Sequence, residues 1–147
     1  MRMTFRKVCE YTGWDYSKAG DDRLNGADFI AHSGSGRIVC DQDDCAAAFL
    51  YVDMRRAGHT VRVAGAAANR IRTAMRDHPE ADQLTTVEME NGNRFTLPSA
   101  DLDLTSGYTS GSPVTSATMV DVRNLRARVE CAVAADERVI GAEDERD

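Results

Sequence analysis

Between residues 37 and 133 short apolar runs alternate with longer stretches whose apolar side chains recur at helical intervals, and this alternation most restricts the fold. Arg37-Ile-Val-Cys40 is suited to a buried strand. Ala46, Leu50, Met54 and Ala57 then define one face of a helix. Asp43 or Asp44 can cap its first turn, Arg55 and Arg56 complement its last, and Gly58 ends it. Thr60 to Ala64 reads as a second strand, with Val61 and Val63 on one side and Arg62 on the other. A second helix spans Ala66 to His78, with Ala67, Ile71, Ala74 and His78 in line and Pro79 as its stop. Thr85–Glu90 and Asn93–Leu97 flank Asn91-Gly92, a strong hairpin signal. After a polar loop over 98–116, Ala117–Val122 is a further strand, and Leu125, Val129, Ala132 and Val133 mark a last helix. The order predicts an α/β fold: a mainly parallel sheet flanked by helices through right-handed crossovers, with an inserted β-hairpin.

Residues 1–36 form an N-terminal helical or irregular segment. Asp21-Asp22 opens a helix through Leu24, Ala27, Phe29 and Ile30, and Gly34-Ser-Gly36 closes it. Residues 37–138 make the α/β domain and 139–147 an acidic tail. The 147 residues are enough for one domain with a real core, and a 42% apolar share excludes a disordered chain. A net charge of −6 argues against a surface that tracks nucleic acid throughout, while leaving room for a local basic face. No signal peptide and no membrane-length apolar run is evident, so a cytoplasmic setting without a membrane partner is expected. Cys9, Cys40, Cys45 and Cys131 lack zinc-binding spacing; Cys40 and Cys131 fall in apolar-periodic contexts that suit buried thiols.

Strand, loop, helix and strand over 37–64 follow the order in which nucleotide-binding α/β domains open, where the loop cradles phosphate. From residue 37 to about 128 the chain resembles the ATPase domain of tailed-virus large terminase subunits, the motors that package DNA into virus heads. Three stretches carry the likeness: Phe49 to Ala64 with the following Ala68-Asn-Arg-Ile-Arg; Val87 to Ser99, with its Asn-Gly turn and Leu-Pro; and Gly107-Tyr-Thr-Ser with Thr118-Met-Val-Asp-Val. The resemblance implies a P-loop-like parallel sheet in which strand 37–40 lies beside strand 117–122. It places the nucleotide loop on Asp41, Gln42, Asp43, Asp44 and Cys45, and a magnesium-holding aspartate on Asp121.

The departures are chemical. A phosphate loop needs glycines, a lysine and a hydroxyl. Residues 41–46 have none of these, and no lysine follows Lys18. Three aspartates there would repel a triphosphate. Where the family has a catalytic glutamate this chain has Val122. ATP hydrolysis is therefore not expected, no catalytic residue is assigned, and Mg²⁺ or ATP binding is disfavoured. The acidic loop instead suits helix capping or, as the sharper reading, a metal; Asp121 suits either as well. Arg55, Arg56, Arg70, Arg72 and Arg76 are candidate contacts to a phosphate backbone, against the plainer reading of a solvated helix face. The expected function is a terminase-like domain without ATP hydrolysis that binds DNA or a virus packaging protein. The alternatives are a divergent metal-dependent nucleotide-binding enzyme and a small α/β interaction protein.

Overall fold

The computed structural model describes residues 1–30, 38–109 and 111–144, with side chains as far as Glu137. The glycines at 34 and 36, Arg37 and the end of the acidic tail lie outside the described residues. The element order is β1 (Met3–Thr4), α1 (Phe5–Thr12), α2 (Tyr16–Leu24), β2 (Val39–Cys40), α3 (Gln42–Arg56), α4 (Val61–Asp77), β3 (Gln83–Met89), β4 (Arg94–Pro98), β5 (Tyr108–Thr109), β6 (Ser112–Asp121) and α5 (Val122–Asp144).

Helices and strands are both present, but the expected parallel sheet is not. All described strand pairs are antiparallel: β1 with β2, β3 with β4 and with β6, and β5 with β6. The four-stranded sheet has the order β4-β3-β6-β5. Strand 38–40 does not lie beside β6; its Val39 and Cys40 pair with Thr4 and Met3. The cause is local. Parallel neighbours need a strand-helix-strand crossover, and the segment 60–64 that would complete one is helical. Thr60 Oγ1 accepts a hydrogen bond from the Val63 amide at 3.2 Å, a helix N-cap. The alternation of Val61, Arg62 and Val63 imitates a strand, yet Arg62 and Val63 both face solvent, as they do on a helix's outer side. With α3 and α4 consecutive, the later strands connect through the hairpin and through residues 99–111.

The hairpin forms where Asn91-Gly92 places it: Gly92 takes φ +87° and Asn91 Oδ1 accepts from the Asn93 amide. β3 is one of the two inner strands, and its buried Thr85 and Thr86 hydroxyls are satisfied by Ser99 and Thr96 at 2.6 and 2.7 Å.

The core is built around α3. Cys45, Phe49 and Val52 are buried, as are Ala46, Ala47, Ala48 and Tyr51. Leu50 and Met54, expected to face inward, are half-buried, and Ala57 is exposed. Three successive alanines let neighbours approach on several sides, so the buried surface wraps the helix rather than following one stripe. α1, α4 and α5 all pack on it. α5 brings in Val122, Leu125 and Val129, and Arg128 clamps it down: two nitrogens meet Asp53 at 2.5 and 3.0 Å while the guanidinium lies 4.5 Å from the Phe49 ring centre. Among the described residues no helix is long and apolar enough to cross a membrane.

Candidate nucleic-acid interface

The acidic stretch 41–45 is not a loop but the start of α3. Asp41 is its N-cap: Asp41 Oδ1 accepts from the Asp44 amide and Asp44 Oδ2 accepts from the Asp41 amide, both at 2.9 Å. Two backbone donors at this helix start, the Asp41 and Asp44 amides, are thus engaged by side chains of the same turn. Arg72 Nε meets Asp44 Oδ1, and Arg76 Nη2 lies 2.9 Å from Asp41 Oδ2 and 3.3 Å from Asp44 Oδ1. Burial works against ionisation of Asp41, but the Asp44 amide and Arg76 outweigh it and hold the carboxyl below its usual range. At Asp43 burial, followed by repulsion from Asp41, outweighs the pull of Arg126 and Arg76 and raises the carboxyl. The capping reading therefore describes this stretch. Asp121 is also a cap, accepting from the Asn124 amide at 3.0 Å. Among the described residues no three His, Cys, Asp or Glu side chains are grouped to hold a metal ion.

The five candidate arginines do not share a face. Arg72 and Arg76 fasten α4 to the cap of α3. Arg70 lies on another side of α4, beside Arg94 and Phe95, with its Nε buried and without a hydrogen-bond partner. Burial and then the neighbouring Arg94 lower its pKa. Arg55 reaches the His59 carbonyl at 2.7 Å across the end of α3. Arg56 is exposed and points back towards the N-terminal segment: its Nη2 stands 2.8 Å from where a β-carbon on Gly13 would be.

That contact leads to the part of the chain that sequence reasoning left as irregular. α1 and α2 are joined by residues 13–15 only. Thr4 caps α1 and Asp15 caps α2, and Gly13, at φ +80°, sends its amide to the Cys9 carbonyl to close α1. Two short helices thus follow one another across a tight glycine turn. Helix α2 ends at Leu24, before the helix expected from Asp21 onward has properly begun, and Ala27, Phe29 and Ile30 are buried beyond it. Only Ala19 of α2 is itself buried. The turn is held from below instead. Trp14 packs on Phe5, Phe29 and Tyr51, with ring centres 5.3, 5.6 and 4.6 Å away, and both its Nε1 and the Tyr51 hydroxyl donate to Asp22 Oδ2 at 2.9 Å.

The outer side of α2 presents Tyr16, Ser17, Lys18, Gly20, Asp21 and Leu24. Cations surround it. Arg6 stacks 4.9 Å from the Tyr16 ring centre, and Arg2 lines the same open cleft. Arg56 covers the turn, and Arg62 abuts Gly26 past the end of α2, its Cα 3.2 Å from a β-carbon there. The Asp15 carboxylate within this surface is engaged by the Ser17 hydroxyl and amide, which lower its pKa. A Thr-x-x-Lys start, Gly13, Asp15 and the buried Phe5, Val8, Cys9 and Thr12 at helical spacing were the sequence signals for this unit; α2, which buries only Ala19, shows no such stripe. Comparison with known protein families and with curated protein sequences finds no match.

The thiols separate cleanly. Cys9, Cys40 and Cys45 are buried, and burial pushes each up to about 12; Cys131, expected inside, is exposed on α5. In the folded protein Cys131 alone is expected to react rapidly with an aromatic disulfide reagent, the other three only after denaturant is added. Fast labelling of a second thiol would contradict this packing.

Proposed function

We propose that the protein binds double-stranded DNA through the α1–α2 unit, with α2 as the helix that enters the major groove. The observation that carries this reading is the outward face of α2, where Tyr16, Ser17, Lys18, Asp21 and Leu24 are exposed with Arg2, Arg6, Arg56 and Arg62 around them, on a helix that contributes almost nothing to the core. In a helix-turn-helix the N-terminal residues of the second helix address base edges while flanking cations hold phosphates. Tyr16, Ser17 and Lys18 occupy the first role here, and the arginines the second. The DNA partner expected from the sequence is kept, but it moves from the arginines of α3 and α4 to the N-terminal unit, with Arg56 retained and Arg55, Arg70, Arg72 and Arg76 set aside. No catalytic step is part of this reading.

Fluorescence anisotropy with a labelled duplex at a series of salt concentrations tests it. The expected affinity for arbitrary sequence is in the range of about 10⁻⁴ to 10⁻⁶ M, weakening as salt rises. Arg56→Ala should weaken binding to all sequences alike and reduce the salt slope by about one. Lys18→Ala, once a preferred site has been selected from random duplexes, should cost about 1–3 kcal/mol on that site and relax the preference. Unchanged binding in both variants, or none at low salt, would remove the proposal.

A further inference from the structure

β6 leaves an edge of the sheet open. On one side it pairs with β3 along most of its length, but on the other β5 reaches only Ser112 and Pro113, and the Gly107 carbonyl before it takes the Val114 amide at 2.8 Å. From Thr115 to Met119 every residue is exposed, so both faces of the strand and its outer edge meet solvent together. The opposite edge strand differs: Phe95 to Pro98 of β4 are half-buried, and β4 packs against α4.

Folded proteins protect a long edge with charge, proline, a bulge or a covering element, because its unpaired amides and carbonyls form a template for another strand. Between Val114 and Val120 β6 has no charged residue and no proline; its one irregularity, opposite Glu88 and Met89, falls at Thr115 and leaves Ser116 to Val120 in regular pairing. Met119 is 56% exposed there. We propose that this edge is a homodimer seam: residues 115–121 of two copies pair antiparallel about a two-fold axis, uniting two four-stranded sheets. A line of backbone donors and acceptors is matched in full only by another strand. The strand of a second copy is self-complementary, since a two-fold brings Ala117 and Met119 of one copy beside the same pair of the other, with no like charges meeting between 116 and 120.

The pairing is argued from the sheet alone and is measured without DNA, so it stands or falls separately from the DNA reading. Sedimentation velocity of the full chain should show a dimer at high micromolar concentration that dissociates on dilution. Hydrogen exchange should show the outward amides of 115–121 protected in the dimer and losing protection over the same dilution. The double variant Ala117→Lys/Met119→Lys, which supplies the missing charges at two exposed positions, should be monomeric with an unchanged far-ultraviolet spectrum. A wild type that is monomeric throughout, edge amides whose exchange ignores concentration, or a double variant that still dimerises would each overturn the seam. The exchange measurement decides on the wild type alone if the double variant does not fold.

Discussion

Asp44→Ala is expected to destabilise the protein by about 3 kcal/mol, a large share of the roughly 5–15 kcal/mol that holds a domain folded. Two losses combine. The carboxylate accepts from the Asp41 amide and anchors half of the capping box, and it is the partner of Arg72, whose side chain is only 15% exposed. Removing a cap costs about 1 kcal/mol, and stranding a cation that is largely desolvated costs more. Arg72 keeps some access to water, which places the sum below the upper limit for a fully buried pair. Asp44→Asn retains an acceptor and the shape while removing the charge, so it should fall between the wild type and the alanine variant. Urea unfolding followed by circular dichroism measures both; a change under about 1 kcal/mol for Asp44→Ala would mean that the cluster is an ordinary surface cap. Acid acts on the same corner. Because Asp41 is held below its usual range in the fold, its contribution is present above its unfolded pKa and is lost as pH falls through the lower folded value.

This corner also shows what was legible in the sequence and what was not. Aspartates ahead of an apolar run point to a helix start, and they make one here. Their arginine partners lie 28 and 35 residues further on, so the arginines of α4 looked available to phosphate until tertiary structure committed two of them to Asp41 and Asp44. The hairpin was readable because its signal is local: a turn that needs positive φ, and a glycine that supplies it. The parallel sheet was misread at one place. Val61-Arg62-Val63 satisfies a two-residue period, but a threonine cap before an alanine-rich run favours helix, and the packing of α4 agrees. Gly65 sits so close to the chain at Gly26 and Ala27 that a β-carbon would stand 2.3 Å from the Gly26 carbonyl oxygen. That approach requires a helix there with no side chain at position 65, and no pattern in the sequence announces a contact with a segment so distant. With that one element changed, the crossovers disappear and the antiparallel arrangement follows. The candidate DNA-binding unit was missed for a different reason: α1 has a stripe of one short helix only, Phe5, Val8, Cys9 and Thr12, and α2, with only Ala19 buried, is held by the aromatic contacts of Trp14 rather than by a stripe of its own.

Those aromatic contacts make Trp14→Ala the second large effect, with an expected loss of about 3–5 kcal/mol. Trp14 is 5% exposed, and its removal empties the space between Phe5, Phe29 and Tyr51. It also takes away one of the two donors to Asp22 Oδ2, leaving Tyr51 to hold that carboxylate alone. The damage should be concentrated. α2 buries only Ala19 by itself, and a helix of 9 residues has little stability without tertiary support. The sheet and the contacts of α3 with α4 and α5 do not involve Trp14. Local opening of residues 5–30 is therefore expected at denaturant concentrations where β3 and β6 remain protected from exchange. Cys9, buried in α1, is the reporter: its thiol should become reactive in Trp14→Ala while Cys45 stays slow. DNA binding, if it resides in α2, should be lost to the same extent as Cys9 protection. The wild type carries the complementary probe, because Trp14 is its only tryptophan. Fluorescence then follows the α1–α2 unit and circular dichroism the whole fold. An equal rise in Cys9 and Cys45 reactivity in the variant would show instead that the aromatic cluster supports the whole domain, and that α2 cannot open without it.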